Sequence, residues 1–74
     1  MKNELSQFVK KRRKILGINQ VELSEKAGVG LRFVRDLEQG KSSLRLDKVN
    51  QVLALFGHSM SPAPIRSESN EPQG

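Results

Sequence analysis

The apolar residues at the start of the chain recur at the spacing of one face of a helix. They are Leu5, Phe8, Val9, Ile15 and Leu16. Asn3 is a favourable N-cap residue and Gly17 favours a left-handed C-cap, so we predict a first helix between these two positions. Arg12 falls within the apolar stripe, and we expect its stem to pack while its charged head reaches a carboxylate or solvent.

A second, shorter helix is predicted over Gln20–Ala27. Asn19 is its N-cap, and Glu22, three residues later, can complete a capping box. Gly28 ends the helix. Because two helical turns are not stable alone in water, this helix must pack against the rest of the chain.

Two more helices are predicted further along the chain. The third spans residues 31–39, and the fourth begins at Arg45 or Leu46 and ends at Gly57. Both show apolar residues at helical spacing. The inward-facing positions expected on the second, third and fourth helices are Leu23, Ala27, Val34, Leu37, Val49, Val52, Leu53 and Phe56.

The composition of the chain changes after Gly57. The stretch that follows contains all three prolines of the sequence and is rich in serine. We therefore predict one domain over residues 1–60 and an extended or disordered tail over residues 61–74. Since no strand pattern or internal repeat is present, the predicted fold class is all-α, a small bundle of about four helices.

The balance of charges indicates a polyanionic partner. The 74 residues include 13 Lys plus Arg against 8 Asp plus Glu, a formal net charge of +5. This excess favours binding to DNA, RNA or an anionic membrane face. The chain has no apolar run long enough to span a membrane and no signal-peptide pattern. We expect a bacterial cytoplasmic, nucleoid-associated protein.

Enzymatic and metal-dependent functions are disfavoured by the residue types present. The chain has no cysteine and a single histidine, His58. It also lacks a glycine-rich phosphate loop and a plausible acid–base pair. We therefore expect no enzyme, no metal and no cofactor. An RNA or membrane-surface module is a further alternative, but only three Phe and no Trp or Tyr are available to stack on single-stranded bases.

The two short helices joined by the glycine-containing turn 28–30 fit a helix-turn-helix, in which the second helix enters the DNA major groove. An ordinary helical hairpin would give the same pattern. The outward positions of the third helix favour the DNA interpretation. They include Arg32 and Arg35, and arginine can bind guanine through two hydrogen bonds.

Polar and basic residues on both sides of the third helix are candidates for phosphate contacts. The alternative is that they form a solvated charged surface. The candidates are Asn19, Gln20, Gln39, Lys41, Ser42, Ser43, Arg45 and Lys48.

These residues also match a known family. The sequence from residue 4 to 57, with Asn19-Gln20 after a glycine, Ala27-Gly28-Val29 in the turn and Glu38 before a second glycine, resembles the lambda-repressor-like helix-turn-helix regulators, the XRE family. The resemblance implies a five-helix fold, of which this sequence carries four. Two positions depart from the family. Gly30 replaces a Ser or Thr cap. Phe33 replaces a small polar residue, and we expect it to pack on the second helix; the alternative is contact with a thymine methyl group.

The resemblance also implies residue roles. It implies that Gln20 binds phosphate and orients the recognition helix, and that Arg13 pairs with Glu38, although Arg12 lies nearer the centre of the apolar stripe and is a rival partner. The base contacts that the resemblance implies are Leu31, Arg32, Arg35 and Asp36.

A narrower resemblance concerns residues 37–60, in which the phrase Gly-Lys followed three residues later by Arg-Leu-Asp-Lys-Val is similar to HipB-type antitoxins. Those are homodimeric repressors of their own operon that bind a HipA-type kinase toxin. The implied function is a transcriptional repressor and antitoxin with a HipA-like kinase toxin as partner. The alternative is a stand-alone XRE-type regulator without a toxin.

A homodimer is expected because one recognition helix reads only a few base pairs. The expected DNA partner is a double-stranded, pseudo-palindromic operator. We place the dimer surface around residues 53–65, since this stretch contains apolar side chains with no other explanation. The candidate interface residues are Leu53, Phe56, Met60 and Ile65.

Overall fold

A computed structural model describes residues 3–63 and contains four helices and no strand within that range. The helices are α1 (Glu4–Leu16), α2 (Gln20–Ala27), α3 (Leu31–Glu38) and α4 (Leu46–Leu55). The all-α prediction is confirmed. The ends predicted for α3 and α4 were too late by one and two residues, because Gln39 and Phe56 are C-caps that stand outside the helices.

Reciprocal capping boxes begin the first two helices. At α2, Asn19 Oδ1 accepts from Glu22 N at 2.7 Å and Glu22 Oε1 accepts from Asn19 N at 2.8 Å, as predicted. At α1, Asn3 Oδ1 accepts from Ser6 N at 2.8 Å and Ser6 Oγ accepts from Asn3 N at 2.9 Å. The capping role of Ser6 was not predicted. These bonds satisfy backbone donors that a helix start leaves without partners.

The core is formed by apolar side chains from all four helices, each at most 3% exposed. They are Val9, Leu23, Val34, Leu37, Val49, Val52 and Leu53. Ile15 and Leu16 recur at helical spacing with the other apolar residues of α1, but they are 66% and 53% exposed. At this end of α1 the side chain that reaches α3 is Arg13, which pairs with Glu38, so the apolar residues of the last turn have no core to enter.

The helices are arranged so that α3 lies on the outer side of α1 and α2, which hold it. Helix α3 packs against α1 and α2, and α2 packs in turn against α4. Gln51 of α4 donates from Nε2 to the carbonyl oxygens of Ala27 and Gly28, each at 3.3 Å. Because these carbonyls end α2, the contact fastens α4 to the turn between α2 and α3. The helix-turn-helix is therefore held by α1, which packs against α3, and by α4, which packs against α2 and the turn.

The start of α3 lacks a side-chain cap. Its N-cap is Gly30, with φ −75° and ψ 155°, and no side-chain hydrogen bond closes the helix start. A Cβ atom added at Gly30 would meet nothing within 4 Å. The family departure noted at this position thus leaves the first turn of α3 less well satisfied than the first turns of α1 and α2.

Replacing Gly30 with serine is expected to raise the free energy of unfolding by about 0.5–1 kcal/mol, since it supplies a cap acceptor and reduces unfolded-chain entropy without strain. Urea unfolding followed by circular dichroism measures the change. Gly30→Ala is the matched control, because it adds a Cβ atom without an acceptor. Equal stability of the Ser and Ala variants would contradict the capping explanation.

Candidate DNA-binding site

Helix α3 separates its residues cleanly between two sides. Val34 and Leu37 are buried against the core, whereas Arg35 is exposed and the Arg32 side chain is 86% exposed. Leu31, another proposed base contact, is half-buried. The outer side of α3 therefore presents two guanidinium groups on a short, well-packed helix.

The C-terminal end of α3 is fixed by a buried ion pair. Arg13 Nε lies 2.7 Å from Glu38 Oε2, and Arg13 Nη2 lies 3.0 Å from Glu38 Oε1. The two side chains are 12% and 3% exposed. Arg13 also donates from Nη1 to the carbonyl oxygen of Ile18 at 3.0 Å. A bidentate pair of this kind fixes both distance and orientation, so α1 and its connector hold α3 in place.

The rival residue Arg12 does not take part in this pair. Its guanidinium carbon lies 5.4 Å from the centre of the Phe8 ring, a cation–π contact. The structure thus places Arg13 beside Glu38 and Arg12 beside an aromatic ring.

The start of α2 joins the same network. Gln20 Nε2 donates to Glu38 Oε1 at 3.1 Å, which links α2 to the end of α3. The neighbouring Asn19 is exposed, and its Oδ1 is used by the capping box. Both proposed phosphate contacts at this helix end therefore also have structural hydrogen bonds within the protein.

The candidate phosphate contacts after α3 lie mostly at the surface. The exposed ones are Gln39, Lys41, Ser42, Ser43 and Arg45, and Lys48 is half-buried. Arg45 Nη2 lies 2.7 Å from Asp47 Oδ2. The hydrogen bond from Arg45 lowers the pKa of Asp47, so the carboxylate stays charged and Arg45 is held at the start of α4.

Two further residues of α3, Asp36 and Phe33, have contacts within the protein. Asp36 lies near two cations, with its Oδ1 3.7 Å from Arg32 Nε and its Oδ2 3.6 Å from Lys41 Nζ. Phe33 is half-buried and packs against the core. That Phe33 packs within the protein was expected from the sequence, and the ion pairs of Asp36 were not foreseen.

The four proposed dimer residues differ in how much of each is available to a second copy. Leu53 is buried within the chain at 3% exposure, so little of it is left for a second copy. Phe56 is half-buried and makes an edge-to-face contact with Phe8 at 6.2 Å. Met60 is 44% exposed, and Ile65 lies outside the described residues.

Met60 lies at one side of an open groove of about 420 Å³. The groove runs between the start of α1 and the segment after α4. Its lining consists of Glu4, Leu5, Phe8, Leu53, His58, Ser59 and Met60. The backbone N–H of Met60 donates to Asn50 Oδ1 at 2.8 Å, which holds this segment beside α4.

Neither a metal site nor a membrane-spanning helix is present among the described residues. Among residues 3–63, no group of three or more His, Cys, Asp or Glu side chains could hold a metal ion. None of the four helices is both long and apolar enough to cross a membrane.

A short helix with two exposed arginines, presented by a second helix and a tight turn, is typical of a helix-turn-helix DNA-binding regulator. The family model described as "Helix-turn-helix" matches residues 9–61 of this chain, and the chain belongs to that family. The resemblance to XRE-family regulators is thereby confirmed at the level of the family.

The chain is also similar to a protein of Sinorhizobium fredii named "Uncharacterized HTH-type transcriptional regulator y4mF". The two are 50% identical over 48 residues, which are 65% of this chain. The matched segment covers 63% of the length of that relative, so it spans less than two thirds of it.

Proposed function

We propose that this protein is a sequence-specific transcriptional repressor that reads its operator with α3. The observation that carries the proposal is the combination of an outward Arg32 and Arg35 with a buried Arg13–Glu38 pair that fixes the same helix. Guanidinium groups can bind guanine edges through two hydrogen bonds, and a helix fixed by packing holds their backbone in position for this contact. The name of the Sinorhizobium fredii relative, a transcriptional regulator, supports the same function.

Selection from a random duplex library tests this proposal. The full chain should enrich a pseudo-palindrome with half-sites about one helical turn apart. Competition by single-stranded DNA, RNA and anionic vesicles should be weak in comparison. Enrichment of no sequence, or stronger competition by a single strand or a vesicle, would contradict the proposal and favour the RNA or membrane alternative.

Basic residues beside α3 are proposed to contact phosphates, and Lys48 is a good test because no ion pair holds it among residues 3–63. Lys48→Gln should weaken binding to all sequences alike and reduce the slope of log K against log salt by roughly one unit. Lys11→Gln, an exposed lysine on α1, is the control with the same charge change. A changed base preference with an unchanged slope would contradict the phosphate assignment of Lys48.

The proposed repressor acts as a homodimer, with a second copy covering the groove beside Met60. The support is the apolar lining of the groove by Leu5 and Phe8 together with the exposed thioether of Met60. A charge placed there would be buried without a partner in the dimer. Sedimentation at micromolar concentration should therefore show a dimer for the parent chain and a monomer for Met60→Asp.

Two truncations test the same proposed dimer surface beside Met60. Truncation after Ile65 should keep the dimer and the operator affinity, whereas truncation after Gly57 should weaken dimerisation. Helix α4 ends at Leu55, so both variants retain all four helices. A parent chain that is monomeric and binds a single half-site with full affinity would overturn the dimer proposal.

Within this function, the more specific proposal is a HipB-like antitoxin that represses its own operon. Its support is the likeness of residues 37–60 to HipB-type proteins. The identity of the adjacent reading frame is the first test, and a kinase-like product should co-purify with this chain and with operator DNA. Absence of a kinase-like neighbour would favour the stand-alone regulator.

A further inference from the structure

The outer side of α3 contains a carboxylate among its cations. The two acidic residues of the helix are Asp36 and Glu38, and Glu38 is buried in the pair with Arg13. The Asp36 side chain is 23% exposed and lies between Arg32, one turn earlier, and Lys41 in the following loop. A negative charge at this position opposes the approach of a polyanion and calls for an explanation beyond helix stability.

The chain geometry after α3 fixes this placement. Gly40 has φ 84°, and its N–H donates to the Leu37 carbonyl oxygen at 3.2 Å, while the Lys41 N–H donates to the Asp36 carbonyl oxygen at 3.0 Å. Together these two bonds form a Schellman motif, which requires the left-handed conformation that glycine adopts readily. The motif folds Lys41 back over the last turn of α3, which brings its ammonium group to the Asp36 side chain.

The two ion pairs are loose. Their N–O distances of 3.7 Å to Arg32 and 3.6 Å to Lys41 exceed those of hydrogen bonds. The Arg32 and Lys41 side chains are 86% and 53% exposed, so solvent screens both pairs. The pairs are therefore strong enough to bias the two cations toward Asp36 and weak enough to be replaced by DNA.

The consequence for DNA binding follows from charge. When Arg32 and Lys41 move to DNA, Asp36 is left without its partners beside the phosphates. On random DNA no specific contact replaces the two lost ion pairs of Asp36. A base that presents an amine, cytosine N4 or adenine N6, can instead donate a hydrogen bond to the carboxylate. A repulsive element of this kind raises the difference in affinity between correct and incorrect sites.

Building on the proposed function, we propose that Asp36 is a specificity-determining residue that restrains Arg32 and Lys41 in the free protein. It admits tight binding only where a base amine faces it. Asp36 thereby suppresses binding to non-operator DNA, and it selects cytosine or adenine at one position of each half-site.

The first test uses Asp36→Asn, which removes the charge and keeps an acceptor oxygen. Its affinity for a random-sequence duplex should rise by about threefold to tenfold, because two exposed ion pairs no longer compete with phosphate. The control is Glu25→Gln, the same charge change at an exposed residue of α2 that has no ion pair among residues 3–63. It should change this affinity by about twofold or less, because salt screens a distant charge.

The second test repeats the duplex selection with Asp36→Ala, which removes both charge and acceptor. The selected sequences should lose the preference for cytosine or adenine at one position per half-site, while the positions read by other residues stay the same. Thermal unfolding of each variant shows whether the fold is retained. If Asp36→Ala does not fold, the comparison is made with Asp36→Asn and Asp36→Ser.

The outcomes separate this inference from the proposed function. Equal gains in random-duplex affinity for Asp36→Asn and Glu25→Gln, unchanged selected sequences, or a uniform loss of affinity in a folded Asp36 variant would each overturn the role of Asp36. A parent chain that selects no sequence at all would instead overturn the proposed function.

Discussion

Replacing Glu38 with alanine is expected to lower the free energy of unfolding by about 3–5 kcal/mol, the effect of removing one member of a buried ion pair. The loss is large because the Glu38 carboxylate is 3% exposed and accepts hydrogen bonds from both Arg13 and Gln20. Without it, the Arg13 side chain, which is 12% exposed in the intact pair, lacks an anion. A chain of 74 residues has a total stability of about 4–11 kcal/mol, so this one change brings it close to unfolding.

A double-mutant cycle assigns the energy to the pair. Urea unfolding of Glu38→Ala, Arg13→Ala and the double variant should reveal a coupling of about 1–3 kcal/mol, as for residues in direct contact. Arg12→Ala is the matched control, since Arg12 lies over Phe8 and should combine additively with Glu38→Ala. If Glu38→Ala does not fold, Glu38→Gln gives the same comparison with a smaller loss. Coupling to Arg12 instead of Arg13 would contradict the pairing described above.

The start of α2 was predictable because its signal is local. Asn19 and Glu22 lie three residues apart and close α2 by bonds within one turn, so the sequence spacing alone predicts the geometry. Ser6 makes the equivalent bond at α1 but was missed, because serine at that position differs from the Glu or Gln of the usual pattern.

The choice between two adjacent arginines could not be made from periodicity. Arg12 lies nearer the centre of the apolar stripe, yet it is Arg13 that reaches Glu38, and Arg12 extends along Phe8. The charged end of a long side chain can lie several ångströms away from the line along which its Cα–Cβ bond points. The contacts of such a side chain therefore depend on how the helices cross. The family resemblance identified Arg13 because the arginine–glutamate pair known in the family already reflects how the helices pack there.

Contacts between distant parts of the chain had no signal in the sequence. Gln51 binds the carbonyl oxygens at the end of α2, 24 and 23 residues earlier, and Asn50 binds the backbone of Met60. Nothing in the residues around a surface amide predicts which helix end it meets. For the same reason the ion pair of Asp36 with Lys41 becomes visible only after the turn at Gly40 places Lys41, whereas Arg32 lies one turn before Asp36 on the same helix.

The second large effect concerns recognition itself, and it should differ between the two arginines of α3. Arg35 is exposed and has no ion-pair partner among residues 3–63, whereas Arg32 is drawn toward Asp36. Arg35 therefore engages a base edge without first leaving a carboxylate. Replacing it with alanine should reduce operator affinity by about 1–3 kcal/mol, the value of one bidentate guanine contact.

Arg35→Lys distinguishes base reading from simple attraction to DNA. Lysine keeps the positive charge but not the planar pair of donors that matches guanine O6 and N7. We therefore expect Arg35→Lys to lose most of the operator preference while its binding to random duplex stays near that of the parent chain. Titrations of both duplexes at one salt concentration measure the ratio. If Arg35→Ala weakens operator and random DNA equally and Arg35→Lys restores both, Arg35 contacts phosphate, and the base reading of α3 must then come from Leu31, Arg32 and Asp36.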